Sequence, residues 1–226
     1  MLIRSIISAL VLLASPAVAQ IAPGPGEIAV YRGLHAAAAS GDAAAIERLA
    51  KEGAPLEARD GHGRTPLHVA VHLKQADAAR TLIRLGADAN ALDAQAYDIV
   101  TIAAVADDVP MLKLSLEAGC KATNITSPYH GTALIAAAHL GHDEVVRLLI
   151  AAKAPLDHVN NLHWTALIES IVLGNGGKRH VATLKALVEA GASVNIADRA
   201  GATPLTLAKN RGYAEMVAIL EKAGAK

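Results

Sequence analysis

Apolar residues return along the chain in short clusters at a nearly constant interval. The first residue of each cluster lies 33, 33, 34, 33 and 38 positions after the previous one. These first residues are Leu34, Leu67, Val100, Leu134, Leu167 and Leu205. A turn-forming position follows 19 residues later in five of the six clusters, at Gly53, Gly86, Gly119, Lys153 and Gly224. An interval of about 33 residues predicts an array of stacked repeats.

Each interval contains the signals for two short helices. A threonine followed by proline, as at Thr65, opens the first helix, because threonine can cap a helix and proline suits its first position. The second helix is predicted where apolar residues recur at i, i+1, i+4 and i+5, as over 144–151. Glycine then ends the helix, and the stretch before the next cap predicts a projecting β-turn, which we call a finger.

Four segments carry a resemblance to a known family: 63–68 (GRTPLH), 136–150 (AAAHLGHDEVVRLLI), 190–195 (AGASVN) and 198–205 (DRAGATPL). The pattern resembles the ankyrin repeat family over residues 28–226. The resemblance implies an all-α ankyrin-repeat solenoid of about six helix-turn-helix units with β-turn fingers. The predicted units are 28–60, 61–93, 94–127, 128–160, 161–198 and 199–226.

Three units depart from the pattern. In the third, Asp98 replaces the capping threonine and Pro110 stands near the second helix, so this unit is expected to be the softest. In the fourth, Lys153 occupies a position that favours glycine, at a cost of roughly 1 kcal/mol. The fifth contains a five-residue insertion within 174–180 (GNGGKRH), since its turn glycine, Gly191, comes 24 residues after Leu167. We expect a mobile loop there, and its basic residues could meet an acidic partner.

The N-terminus has the pattern of an export signal. Arg4 precedes a short apolar run over 5–14, and Ala17 and Ala19 form a cleavage site of the A-x-A type. Residues 1–19 are therefore predicted to be a bacterial signal peptide, which places the protein in the periplasm, with secretion to the outside as the second choice. An uncleaved membrane anchor is the alternative, but the run is about half the ~20 residues that a spanning helix needs. Residues 20–27 are predicted to be a flexible leader.

Composition narrows the possible partners. Apolar residues make up 53% of the chain but aromatic residues only 2%, with no phenylalanine, which does not favour a deep aromatic pocket. There are 21 basic and 21 acidic residues; without Arg4 the balance is 20 to 21, a net charge of −1. Nucleic acid requires clustered basic residues, so neither it nor, after signal cleavage, a membrane is an expected partner.

The resemblance places the partner-binding surface on the fingers and first helices, the concave side of the array. Carried over by position, the binding residues are Arg64, His72, Leu73, Tyr97, Tyr129, His139, Leu140, Trp164, Val172, Leu173 and Arg211. Trp, Tyr and Arg are common interface anchors. The alternative for Tyr97 and Trp164 is that they cover the backbone of the next finger, and for the leucines and valine that they pack between units.

Other chemistry was sought among the histidines and the single cysteine. His130, His158 and His163, with Asp157, fall on neighbouring fingers and could bind Zn²⁺ or Cu²⁺, although a turn role is the favoured explanation of His130 and His163. Cys120 aligns with small residues and is predicted to be buried. No motif of a hydrolase, metalloprotease or dinucleotide-binding enzyme is present. The prediction is a non-catalytic, monomeric scaffold without a cofactor, with a metal-binding protein or an exported effector of a host protein as alternatives.

Overall fold

The computed structural model of the protein describes residues 20–226, which fold into thirteen α-helices. Helix α1 stands alone and the other twelve form six consecutive pairs. The helices are α1 Pro25–Val30, α2 Gly33–Ser40, α3 Ala43–Lys51, α4 Pro66–His72, α5 Ala76–Arg84, α6 Ile99–Val105, α7 Val109–Glu117, α8 Ala133–Leu140, α9 Asp143–Ala151, α10 Ala166–Val172, α11 Lys178–Glu189, α12 Pro204–Asn210 and α13 Ala214–Lys222. Within 20–226 there is no strand, and no helix is long and apolar enough to cross a bilayer.

The pairs stack into two layers. The first helices of the pairs (α2, α4, α6, α8, α10 and α12) pack side by side in chain order. In the layer of second helices, α3 packs on α5, and α7, α9, α11 and α13 pack in chain order, with little contact between α5 and α7. All six residues that set the repeat interval are buried between units, from Leu34 to Leu205, with at most 7% of any of them exposed. The predicted all-α solenoid of helical pairs is confirmed.

Five of the six first helices begin at a side-chain cap, and α2 is the exception. Thr132 Oγ1 accepts the backbone N–H of Ile135 at 3.3 Å, and Thr65, Thr165 and Thr203 act in the same way. In the third unit Asp98 takes this role, accepting the N–H of Thr101 at 2.8 Å. Pro110 lies in the first turn of α7, where its missing N–H costs no helical bond. Both departures therefore fit the helical pair, and the expected softness of this unit stays a prediction.

Left-handed backbone occurs where the turn signals predict it. Lys153 has φ +64°, His130 +53° and His163 +64°. The two histidines stand at the finger position that Gly63 and Gly201 occupy in other units. The turn role predicted for them is thus observed.

The segment predicted as a flexible leader is largely ordered. Arg64, which is fully buried, donates from Nη1 to the carbonyl oxygen of Ile21 at 2.9 Å and from Nε to Asp60 Oδ2 at 2.7 Å. Its Nη2 bonds Glu27 of α1 and the hydroxyl of Tyr31, the latter at 3.1 Å. Helix α1 is therefore fixed to the first finger, which corrects the prediction of a flexible leader over 20–27. The sequence did not indicate these contacts because the partners lie far apart along the chain. The predicted signal peptide, 1–19, lies outside the described residues.

The insertion of the fifth unit is also ordered. Lys178, Arg179 and His180 form the first turn of α11 instead of a loop. The Tyr213 hydroxyl donates to the carbonyl oxygen of Gly174 at 2.9 Å. A Cβ on Gly174 would lie 2.0 Å from the carbonyl oxygen of Ser170, so only glycine allows this close approach. The expectation of a mobile loop is wrong because the glycines let the chain pack tightly.

Arg179 ties the insertion to two earlier units. Its guanidinium lies 2.8 Å from Asp107 Oδ2, in the turn between α6 and α7, and 3.2 Å from Asp143 Oδ1, at the start of α9. These ion pairs raise the pKa of Arg179, with the hydrogen bond to Asp107 as the main cause, and lower the pKa of Asp143. The basic side chain is thus already engaged within the array.

Replacing Arg64 by methionine is expected to destabilise the first unit. Burial raises the pKa of Asp60, yet hydrogen bonds from Tyr31 and Arg64 outweigh it and lower the pKa to about 2. Removing the buried cation leaves this carboxylate unpaired, which we expect to cost about 3 kcal/mol or more. Chemical denaturation and hydrogen exchange of α1 measure the effect.

The matched control is Arg48→Met, because Arg48 pairs with Glu52 while 63% of its side chain is exposed. This change is expected to cost less than about 1 kcal/mol. Equal losses in the two variants, or unchanged exchange protection of α1 in the Arg64 variant, would contradict the assignment.

Candidate protein-binding surface

Most of the predicted binding residues reach the surface. We call the surface formed by the C-terminal ends of the first helices and the adjoining fingers the inner face. Leu140 is 40% exposed and Leu173 is 37% exposed on adjacent first helices of this face. The following residues are partly or fully exposed: His72, Leu73, Tyr129, His139, Trp164, Val172 and Arg211.

Two predicted anchors are not available to a partner. Arg64 is 0% exposed and Tyr97 is 6% exposed. The Arg64 guanidinium is used by α1 and the first finger, and the Tyr97 ring packs in the core between units. The prediction that these two side chains line the binding surface is therefore corrected. The alternative for Tyr97, that it covers the backbone of the next finger, stays a prediction.

His72 contributes an uncharged ring to the inner face. Burial, together with the nearby charge of Arg64, lowers the pKa of His72 to about 4. Its Nε2 is buried and lacks a hydrogen-bond partner among the described residues. At neutral pH this side chain is neutral.

The structure brings an acidic residue to the inner face that the sequence analysis missed. Glu169 lies in α10, and only 5% of its side chain is exposed. The aligned residues of the other units are small or aliphatic: Ala36, Val69, Ile102, Ala136 and Leu207. A carboxyl group at a position that is otherwise apolar is the signal that could have identified it, since buried ionisable groups are concentrated at functional sites.

Asn160, in the finger before α10, holds one oxygen of this carboxyl group. Its Nδ2 donates to Glu169 Oε1 at 2.9 Å. Its Oδ1 accepts the N–H of Trp164 at 3.0 Å, the same turn bond that Asp60, Asp93 and Asp198 accept in other fingers. The amide thus keeps the turn and adds a neutral donor, whereas an aspartate here would place two carboxylates in contact.

His139 lies next to the other oxygen. Its Nδ1 is 3.5 Å from Glu169 Oε2, longer than a charge-assisted hydrogen bond, and 34% of its side chain is exposed. Burial raises the pKa of Glu169 to about 7, opposed by the Asn160 hydrogen bond. Burial, together with His180 and His142, lowers the pKa of His139. Both shifts favour the uncharged forms, so a contact between an ionised Glu169 and a protonated His139 is disfavoured.

The candidate metal ligands on the fingers do not converge. His158 Nε2 lies 2.7 Å from the carbonyl oxygen of His130, and Asp157 accepts the N–H of Ser193 at 2.8 Å. His163 is exposed in its turn. Across 20–226, no group of three or more His, Cys, Asp or Glu side chains could hold a metal ion. The described geometry thus gives these residues structural contacts.

Cys120 is buried as predicted, with 3% exposed. Burial raises the pKa of its thiol, and the neighbouring charge of Asp98 raises it further. A thiol that remains protonated is a poor nucleophile and metal ligand. This residue fills space beside the cap of α6.

Replacing Glu169 by glutamine is expected to stabilise the array at pH 8. The folded-state pKa of Glu169 exceeds the ordinary value of 4.5 for glutamate, so the folded state holds its proton more tightly than the unfolded chain does. Its contribution to stability is full below pH 4.5 and is lost as the pH rises through about 7. Glutamine keeps the acceptor for Asn160 without the charge, and we expect a gain of ~1–3 kcal/mol at pH 8.

Urea denaturation at pH 8 and pH 5 measures this difference, which should shrink at pH 5. Glu215→Gln is the control, because Glu215 is exposed in α13 and lies outside this cluster. A stabilisation that is the same at both pH values would contradict the assignment.

Comparisons with known proteins agree with this architecture. A family model described as "Ankyrin repeats (3 copies)" matches residues 25–93 and 100–198. The ankyrin repeat protein YahD of Escherichia coli strain K12 is 33% identical over 190 residues, which are 84% of this chain and 94% of that protein. Human ankyrin repeat and SOCS box protein 16 is 31% identical over 85% of this chain and 43% of its own length.

Solved structures show the same relationship. An ankyrin repeat domain from Acinetobacter baumannii AYE superposes with a TM-score of 0.81 at 43% identity, covering 85% of this chain and 98% of that one. The ankyrin repeat domain of Bcl-3, a member of the IkappaB family, superposes with a TM-score of 0.77 at 27% identity, covering 87% and 88%. The chain belongs to the ankyrin repeat family, whose domains generally mediate protein–protein interaction and are typically non-catalytic.

Proposed function

We propose that this protein is a non-catalytic scaffold that binds one protein partner on its inner face, in the periplasm of a bacterium. The observation that carries the proposal is the group of exposed side chains on two adjacent first helices and the finger between them. Leu140 and Leu173 expose apolar surface at the C-terminal ends of α8 and α10, and Trp164 is partly exposed on the finger before α10. Exposed leucines and a partly exposed tryptophan are typical of protein interfaces.

The chemistry of the inner face supports binding over catalysis. His72 is neutral, the Cys120 thiol is buried, and the finger histidines make backbone contacts or turns. The inner face therefore presents apolar and hydrogen-bonding groups in a fixed arrangement. Such a surface selects a partner by shape and by a few anchors.

The periplasmic location is supported by the N-terminal sequence. A basic residue, a short apolar run and Ala17 and Ala19 precede Gln20. The same signal serves a protein that passes on to the outside of the cell. An exported effector that binds a host protein would use the same inner face.

Replacing Trp164 by alanine is expected to weaken partner binding by ~1–3 kcal/mol while the array remains folded. The mature chain, residues 20–226, is immobilised and exposed to periplasmic extract, and the retained proteins are identified by mass. Binding of the captured protein to each variant is then measured by calorimetry. A protein retained by the wild type and lost by the variant supports the inner face as the binding surface.

Leucine variants provide a matched pair. Leu173→Ala removes a leucine that is 37% exposed on the inner face, and Leu92→Ala removes a leucine of equal exposure on a finger away from Trp164. We expect only the Leu173 change to weaken binding. Equal effects of the two leucine changes on binding, or no effect of Trp164→Ala, would exclude the inner face as the partner-binding surface.

Cleavage after Ala19 is expected when the full chain is produced in a Gram-negative host. Fractionation followed by N-terminal sequencing should find a periplasmic chain that begins at Gln20. The variant Ala17→Asp is the control, because a charged residue at the cleavage site should leave the precursor uncut. Recovery of the uncut wild-type chain from the cytoplasm would exclude the proposed location.

A further inference from the structure

Glu169 is a buried carboxyl group with no cationic partner. Asn160 donates to Oε1, and His139 Nδ1 lies 3.5 Å from Oε2. No Lys or Arg of the described chain forms an ion pair with it. A buried carboxylate is costly unless it is paired, so a positive charge placed next to Glu169 would stabilise its ionised form.

The surrounding helices supply no such charge. His139 is the one ionisable residue of α8, and His142 and His180 face His139 from α9 and α11. Lys209, the one ionisable residue of α12, pairs with Glu221 at 2.8 Å.

The remaining charged groups of α11 are used elsewhere or lie in solvent. Arg179 is held by Asp107 and Asp143, and Lys185 lies 3.8 Å from Glu189. Lys178 is exposed. The adjoining finger offers Asn160, a neutral donor, so the carboxyl group keeps one oxygen without a strong partner.

His139 lies against this oxygen at 3.5 Å, and 34% of its side chain is exposed. Leu140, the next residue along the chain, is exposed, and so is Leu173, four positions after Glu169. An apolar rim strengthens an ion pair formed inside it, because it lowers the local dielectric.

We propose that Glu169 is a receptor for a cationic side chain, Arg or Lys, of the protein partner, with His139 as its movable cover. This inference rests on the proposed function only in assuming that the cationic group belongs to a protein partner. Asn160 holds Oε1 while the guanidinium or ammonium group bonds Oε2. The apolar stem of the same side chain contacts Leu140 and Leu173.

Binding of a cation at this site is linked to proton release. Because the pKa of Glu169 is raised to about 7, the carboxyl group is mostly protonated at pH 6 and mostly ionised at pH 8. A cation stabilises only the ionised form. Affinity should therefore fall about tenfold from pH 8 to pH 6. A partner segment that is purely apolar would give the opposite slope, since further burial favours the protonated form.

The site is tested on the mature chain with a matched pair of small probes, butylguanidinium and the isosteric but neutral butylurea. Trp164, the one tryptophan of the chain, reports by fluorescence, and the ¹³Cδ shift of Glu169 reports its ionisation by NMR. At pH 8 we expect butylguanidinium to bind at least about tenfold more tightly than butylurea and to lower the pKa of Glu169. Glu169→Gln should abolish the difference, and Glu215→Gln should preserve it.

Equal affinity for the two probes, tighter binding at pH 6, or no response to butylguanidinium would overturn the cation site. The probes need no natural partner, so this result is independent of the capture experiment. A captured protein whose affinity is unchanged by Glu169→Gln would leave the proposed function intact and remove the cation site. If the wild-type chain captures no protein but binds the probes as expected, the protein-binding role is excluded and the cation site is retained.

Discussion

Contact between neighbouring units is the constraint on which the rest of the structure depends. A helical pair of about 33 residues has an apolar side that it cannot bury alone. Leu67, Val100 and Leu134 show the solution, since each is covered by its own unit and the next, with at most 1% exposed. Each unit must present its apolar residues at the positions that meet those of the next unit, and this requirement fixes the repeat interval in the sequence. Any change in the length of a unit has to be accommodated in a segment outside the packed helices.

The fold was predictable because the repeat interval and the turn signals are local. The caps at Thr65 and Thr132 and the left-handed turn at His163 follow from neighbouring residues alone. The ordered N-terminal segment and the helical insertion were not predictable in this way. Arg64 meets Ile21 from 43 positions away, and Arg179 meets Asp107 from 72. Contacts at such separations leave no periodic trace in a single sequence.

The binding surface was predictable only in part, for a related reason. Position within a unit correctly placed Leu140, Leu173 and Trp164 at the surface, because every unit shares the same backbone path. The direction and cover of one side chain depend on its neighbours, so Arg64 and Trp164 have opposite exposure at aligned positions. Glu169 was not predicted because the repeat pattern rests on features that the units share, whereas Glu169 differs from the residues at the same position in the other units. The same alignment read for exceptions would have selected both Glu169 and Asn160.

The quasi-one-dimensional array explains how such an exception can be tolerated. Most contacts of a unit are with its neighbours, so the cost of burying Glu169 falls mainly on the fifth unit and the two beside it. The fifth unit is also the one in which Arg179 adds ion pairs to the third and fourth units, and Tyr213 of the sixth holds Gly174. Arg179 and Gly174 both belong to the insertion that follows α10, the helix with the costly carboxyl group. The insertion therefore adds contacts in the same unit in which apolar packing has been given up for a polar group.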